Sequence, residues 1–487
     1  MKTNVSRLGQ GPGLEWKRST SSFPHGSLGE LQEWTGGKTE PPEPPWHGEV
    51  TFQQWNTVGW GITDEGILCI KPWNGDTGET GPVTNYTGTP WYDQRSKIRK
   101  IESTGTIALN ENSLYLFYGC SSLTDLTALA NWDVSNITNM YYMFYGCSSL
   151  RDLDALANWD VSNVWSMIGM FQNCSNLDDL YAIANWNVYN VNMSRMFTGC
   201  SSLRDLDALT DWDMSEVTNT SSMFAGCSKL TDLTGISGWN VSKVEDMGSM
   251  FNGCSSLRDL RGLEDWNVSS VESMGSMFFG CSRLTDLDAI RDWDVSEVTN
   301  MSSMFYRCSS LTDLTALKDW RVSHVENMNS MFYGCSSLTD LRGLERWNVS
   351  SVTSMNGMFY GCSSLCDLRG LEDLEVSNVT SMSGMFYGCS DLTDLTALQN
   401  WNVSSVTNMN SMFQGCSSLQ RIGIPSIANG GQRLVENAED AKLTTVLPSI
   451  ISEDGSMGPL TWDELYTEMT TNPDAFQDGT VWVKEAE

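Results

Sequence analysis

Twelve cysteines stand in near-perfect register along the chain: Cys120, Cys147, Cys174, Cys200, Cys227, Cys254, Cys281, Cys308, Cys335, Cys362, Cys389 and Cys416. Each lies 27 residues after the last, except for one step of 26 between Cys174 and Cys200. The short step falls at Val191-Asn-Met193, where other units read Val-x-x-Met. Such self-similarity is the signature of a stacked repeat, and it limits what the chain can become. One unit supplies about eight apolar side chains, too few to offset the entropy of ordering 27 backbones by itself. Each unit must therefore bury its apolar face against the next.

One unit shows the local expectation. In Val298-T-N-Met301-S-S-Met304-Phe305-Y-R-Cys308, the residues Met301, Met304, Phe305 and Cys308 recur at i, i+3, i+4 and i+7. That spacing predicts one face of a short helix, with Ser296 ahead of it as a cap. A glycine before the cysteine, as in Gly334-Cys335, closes it in a left-handed turn. Leu311, Leu314 and Leu317 then predict a short strand, and Trp320 and Val322 a second extended piece. The expected architecture is an α/β repeat solenoid: a leucine-rich-repeat-like right-handed superhelix of about twelve 27-residue units, with a β-rich N-terminal cap.

The repeats resemble the BspA-type leucine-rich repeat family of bacterial surface proteins. MFYGCSSLTDL (Met331 to Leu341) and WNVSSVTSM (Trp347 to Met355) carry the likeness, which recurs from about Leu114 to Ile424. The family's usual unit is one residue shorter, so the extra residue in Leu-Thr-Ala-Leu predicts a bulge or a looser strand. The resemblance implies a cap around WGITDEGILCI (Trp60 to Ile70) and IRKI (Ile98 to Ile101), and a closing module like TWDELYTEM…DGTVWVK (Thr461 to Lys484). The expected divisions are a disordered Pro/Gly/Ser-rich leader over 1–50, which includes PPEPPW (Pro41 to Trp46), a cap over 51–113, the solenoid over 114–424, a cap or linker over 425–459 and a small module over 460–487.

Composition narrows function. Asp plus Glu number 60 against 29 Lys plus Arg, a net charge of −31. Such a surface repels nucleic acid and anionic membranes. The three histidines, His25, His47 and His324, stand far apart, which removes most catalytic triads and zinc sites. No apolar run is long enough to cross a bilayer. The opening MKTNVSRLGQGPG shows no apolar signal core, and the closing TVWVKEAE no apolar tail.

The repeated residues themselves favour plain roles. A ladder of single cysteines lacks the clustered spacing of a metal site and reads as reduced core thiols; Cys366, in the variable slot of Leu365-Cys-Asp-Leu368, is the candidate exposed thiol. Met and Phe read as core. The Trp column, from Trp132 through Trp320 to Trp401 with Leu374 breaking it, reads as a half-buried stack. Asp recurs at Asp125, Asp152, Asp179, Asp205, Asp232, Asp259, Asp286, Asp313, Asp340, Asp367 and Asp394. A calcium ladder competes there with a solvated row bonded to local backbone, and the missing glycine-turned loop favours the second. Asn240-Val-Ser242 and Asn402-Val-Ser404 read as turn chemistry. Neither a catalytic residue, a cofactor nor a metal site is predicted.

Function is expected in what varies between units. Thr127, Asp154, Tyr181, Asp207, Arg261, Asp288, Arg342 and Arg369 follow the Asp-Leu pair, and an inner strand would project them on a concave face. Tyr306, Tyr333, Tyr360 and Tyr387 form a candidate aromatic strip, set against ordinary surface scatter. The leading expectation is a non-catalytic, adhesin-like binding protein at the cell surface or secreted, gripping an extracellular protein or glycan. The adhesive part is what the family resemblance implies. The alternative is a structural or receptor-binding component of an extracellular assembly such as a phage tail.

Overall fold

The computed structural model describes residue 46 and residues 48–485. The expected leader, with His25 and His47, lies almost wholly outside the described residues. The chain enters through β1 (Gln53–Trp55), β2 (Val58–Ile62), β3 (Ile67–Pro72), β4 (Thr77–Glu79), β5 (Lys100–Ser103) and β6 (Thr106–Ala108). β1, β2 and β3 run antiparallel, and β5 joins β3 in parallel. β4 pairs with β6 in parallel. From β5 and β6 the parallel pairing continues straight into the repeats, Lys100 bridging to Asp125 and Ala108 to Asp133.

The repeats form a solenoid, but the expected helix is absent. Met301, Met304, Phe305 and Cys308 are all buried as the spacing required, yet their backbone is a run of tight turns. Hydrogen bonding explains the difference. The amides of Met301, Ser303, Phe305 and Arg307 donate to Asn327, Asn329, Met331 and Tyr333 of the next coil, at 3.0, 2.9, 2.9 and 2.6 Å. The amides between them, of Met304, Tyr306 and Cys308, donate three residues back within the coil. An α-helix would spend every amide on itself. Here alternate amides tie coil to coil, and left-handed residues such as Ser303 and Arg307, both at φ 56°, let the peptide planes alternate. Ser296 accordingly caps no helix; its amide donates to Asp294 Oδ1 at 3.2 Å.

The expected leucine strand is also mostly absent. Leu311, Leu314 and Leu317 are buried, but Thr315–Leu317 is a 3-10 turn, and such turns recur at Asp154–Leu156, Asp207–Leu209 and Asp288–Ile290. In the repeats the only strands are β7 (Asp394–Leu395) and β8 (Arg421–Ile424), in the last two coils, and they pair in parallel.

The Trp column is a correction of another kind. Trp159, Trp266, Trp293 and Trp320 are 5% exposed or less, so the column is buried and not half-buried. From Trp159 onward each indole Nε1 donates to a carbonyl one coil back, as Trp293 does to Leu263 at 3.0 Å, while Trp132 donates to the Ser103 hydroxyl of the cap. That bond satisfies the polar atom that would otherwise oppose burial. The cysteines use the same device: Cys308 Sγ donates to the Phe278 carbonyl at 3.2 Å. All the repeat thiols are free and buried, and Cys366 is exposed.

Because the amides of the turn row point toward later coils, each end of the stack leaves one polarity open. At the start, the Asn112 carbonyl accepts from the Val83 amide at 2.6 Å and the Leu116 carbonyl from Trp91 Nε1 at 3.2 Å. At the end, α1 (Gly431–Glu436) and α2 (Leu443–Val446) flank a turn whose Asp440 and Ala441 carbonyls accept from Ser411 and Phe413, at 2.6 and 3.0 Å. β9 (Ile450–Ser452), α3 (Trp462–Thr471) and β10 (Thr480–Lys484) complete the chain. The sheet order is β7-β8-β10-β9, so segments 425–459 and 460–487 share one sheet with the last coil.

Candidate binding surface

The row that varies between coils begins with a fixed residue. Asp232 Oδ1 accepts from the Thr234 amide at 2.8 Å and from its hydroxyl at 2.7 Å. Asp152, Asp179, Asp286, Asp313 and Asp394 hold the amide two residues on in the same way. Most of the aspartate row is therefore a set of Asx turns that open the 3-10 turns following them. These bonds hold the Asp232 carboxyl below its ordinary range, the Thr234 hydroxyl contributing most. The backbone-bonded reading accounts for the row, and among the described residues no group of acidic, His or Cys side chains is placed to hold a metal ion.

The eight candidate residues Thr127, Asp154, Tyr181, Asp207, Arg261, Asp288, Arg342 and Arg369 are all exposed. Thr127, Asp154, Tyr181, Asp207 and Asp288 each open a 3-10 turn that packs on the turn of an adjacent coil, and the glycines beside the three arginines, Gly262, Gly343 and Gly370, lie against the backbone of the preceding coil, so the row shares one surface. Tyr181 is 63% exposed. The three arginines are not free cations. Arg342 Nε and Nη2 reach Asp340 at 2.9 and 2.8 Å, Arg369 Nε and Nη2 reach Asp367 at 3.0 and 2.8 Å, and Arg261 Nε reaches Asp259 at 2.9 Å. Arg342 in turn does most to lower the Asp340 pKa. The row is thus a chain of hydroxyls, carboxylates and internally paired arginines. Near its end, a hollow of about 350 Å³ is lined by Asp367, Arg369, Glu372, Asp394 and Thr396.

The arginine units carry a device that the sequence reading missed. In Arg261-Gly-Leu-Glu264, Arg342-Gly-Leu-Glu345 and Arg369-Gly-Leu-Glu372 the 3-10 turn is replaced. Gly262, Gly343 and Gly370 sit at φ 104°, 106° and 102°. The carboxylate two residues later takes each glycine amide, as Glu345 Oε2 does from Gly343 at 2.7 Å. The recurrence of Arg-Gly-Leu-Glu was the available signal.

The tyrosine strip is a true stack. Phe279, Tyr306, Tyr333, Tyr360 and Tyr387 lie ring on ring, with centroids 4.4, 4.4, 4.3 and 4.3 Å apart and planes within 11° of parallel. Face-to-face stacking is not the preferred geometry for isolated rings; the coil spacing imposes it. Partial burial, and then the Tyr333 phenol alongside, push the Tyr360 hydroxyl up to about 12. A second aromatic group at the start of the solenoid joins Tyr86, Tyr92, Tyr115, Tyr118, Tyr141 and Tyr142 by ring contacts of 4.2–6.5 Å. Sequence reading did not assemble it, because Tyr86 and Tyr92 come from the cap. The two Asn-x-Ser triplets are Asx turns as expected, the Ser242 and Ser404 amides each donating to the asparagine at 3.2 Å. No helix among the described residues is long and apolar enough to cross a membrane.

Comparison with known proteins matches residues 112–234, 191–312, 231–341 and 338–424 to a sequence family described as "Mycoplasma protein of unknown function, DUF285". Among solved structures, a leucine-rich repeat protein from Eubacterium ventriosum is similar at 14% identity, covering 76% of this chain and 95% of its own, with a TM-score of 0.36. A leucine rich cell surface protein from Faecalibacterium prausnitzii is similar at 16% identity, covering 74% of this chain and 94% of its own, with a TM-score of 0.29. None of the curated proteins matches.

Proposed function

The chain belongs to the DUF285 family of repeat proteins, and from that premise we propose that it is a non-catalytic binding protein, displayed at a cell surface or secreted. Its finer form is a right-handed superhelix of about twelve units that recognises an extracellular protein or glycan in an adhesin-like manner. The row from Thr127 through Asp154, Tyr181, Asp207, Arg261, Asp288 and Arg342 to Arg369 is the proposed contact surface, with Tyr306, Tyr333, Tyr360 and Tyr387 as a second strip.

One observation carries this reading: the buried columns hold nearly constant from coil to coil, while the exposed position after each Asx turn changes freely among Thr, Asp, Tyr and Arg. A frame with interchangeable surface residues suits recognition. Catalysis needs one unique constellation, and the repeated carboxylates here are spent on backbone amides. The test is an array of extracellular-matrix proteins and glycans probed with the whole chain, followed by Tyr181→Ala and Arg342→Ala. We expect one array partner whose affinity falls about tenfold with at least one of these changes, a loss of about 1.4 kcal/mol. Binding that neither change alters, or turnover in a hydrolase screen abolished by one substitution, would refute the proposal.

A further inference from the structure

The cap carries a feature that the repeat rows do not share. A cleft of about 480 Å³ opens where β4, β6 and the first coil meet, within the size range of small-ligand sites. Its platform is Trp73, which is 39% exposed, whereas the Trp column of the repeats is buried. Trp73 is nevertheless fixed. Its amide donates to the Thr57 carbonyl at 2.8 Å. Its ring rests on Gly59, where an added Cβ would lie 3.0 Å from Cε3. The glycine lets the indole lie against the sheet and leaves apolar ring surface to the cleft. The loop beyond is pinned as well, the Thr106 amide donating to the Asp76 carbonyl at 2.9 Å.

Around this platform stand neutral hydrogen-bonding groups. Asn74, Thr77 and Thr106 line the cleft, and all three are exposed. Gln54 gives its Nε2 to the Asn56 carbonyl at 2.9 Å, which steadies the amide. Two carboxylates complete the rim and are held in place: Glu79 Oε1 accepts from Asn110 at 3.0 Å, and Asp133 Oδ1 from the Ser135 hydroxyl at 2.7 Å. Among the described residues no Lys, Arg or His lines the cleft.

We propose that this cleft is a carbohydrate-binding site for a neutral pyranose oligosaccharide. A pyranose presents an apolar C–H face that lies on an aromatic ring and a rim of hydroxyls that both donate and accept. Trp73 meets the first; the amides, hydroxyls and pinned carboxylates meet the second. The carboxylates, with no cationic side chain lining the cleft among the described residues, disfavour phosphorylated, sulfated or sialylated ligands. The site is separate from the repeat rows and stands even if those rows bind nothing.

The test is calorimetric titration of the whole chain with chitotetraose, cellotetraose, maltotetraose and an uncharged N-acetyllactosamine tetrasaccharide, each up to about 10 mM. At least one binds. Trp73→Ala weakens it by about tenfold or more and Asn74→Ala by about threefold; Asn74→Ala leaves the melting temperature unchanged because that side chain is exposed, whereas Trp73→Ala lowers it modestly by uncovering Gly59 while the chain still melts cooperatively above the titration temperature. A sialylated form of the lactosamine probe binds more weakly than its neutral parent. Binding of none of the four, binding that Trp73→Ala leaves intact, or preference for the sialylated sugar overturns the proposal.

Discussion

Ala316 and Gly343 occupy the same place in adjacent coils, yet exchanging them should have unequal consequences. Gly343 sits at φ 106°, a region that costs a residue with a side chain about 1–3 kcal/mol. A Cβ there would also overlap the Leu314 carbonyl of the preceding coil, which is backbone and cannot step aside. Forcing the coils apart adds about 1–3 kcal/mol, as overpacking does elsewhere. Restricting the unfolded chain returns about 0.4–1 kcal/mol. Gly343→Ala is therefore expected to destabilise by about 2–5 kcal/mol. Ala316→Gly meets no clash; it loses one buried methyl and some backbone restriction, about 1–2 kcal/mol. Urea unfolding supplies the global difference. Since long repeat arrays depart from two-state behaviour, amide hydrogen exchange should be read alongside it. In Gly343→Ala the Leu317 and Leu344 amides, which bond to Leu314 and Leu341 at 2.8 and 3.2 Å, should lose protection before distant coils do. Equal costs for the two changes, or a Gly343→Ala protein within 1 kcal/mol of the parent, would show that the special glycine turn does not carry the strain assigned to it.

Thiol labelling of the native chain should modify Cys366 alone among the described cysteines, and slowly at neutral pH because burial, then the Asp367 charge, raises its pKa; unfolding should release the rest. Acid should weaken the fold. Asp232 and Asp340 have folded pKa values below their ordinary range, so the stability they give is present above about pH 4 and is lost as pH falls through the folded values; melting temperature against pH tests this. At the alkaline end, Tyr360 is raised to about 12. Its contribution is full below about pH 10 and lost as pH climbs toward the folded value, and ultraviolet titration should find phenols that ionise late. Arg307 holds φ 56° where Gly280 and Gly334 stand in the flanking coils. Arg307→Gly should raise stability by up to about 1 kcal/mol, less what is lost with the Arg307–Tyr306 ring contact at 5.5 Å; a clear loss in urea unfolding would count against the backbone argument.

Periodicity alone determined that the chain stacks, which columns are buried, that the repeat thiols are core and that Cys366 is not. These follow because burial depends on where a side chain recurs, and Met301, Met304, Phe305 and Cys308 recur on one side whatever the backbone does between them. Backbone form was another matter. Spacing of i, i+3, i+4 and i+7 suits both an α-helix and a run of alternating turns, and the choice rests on whether amides find partners within the coil or across to the next. Only the neighbour 26 residues ahead settles that, by presenting carbonyls to Met301, Ser303, Phe305 and Arg307. The same holds for the surfaces. Chain position showed Tyr306, Tyr333, Tyr360 and Tyr387 as a column, since each occupies the same place in its coil. It could not assemble the cleft over Trp73, whose walls come from β1, β4, β6 and the first coil. Such a site has no period to betray it and exists only where distant segments meet.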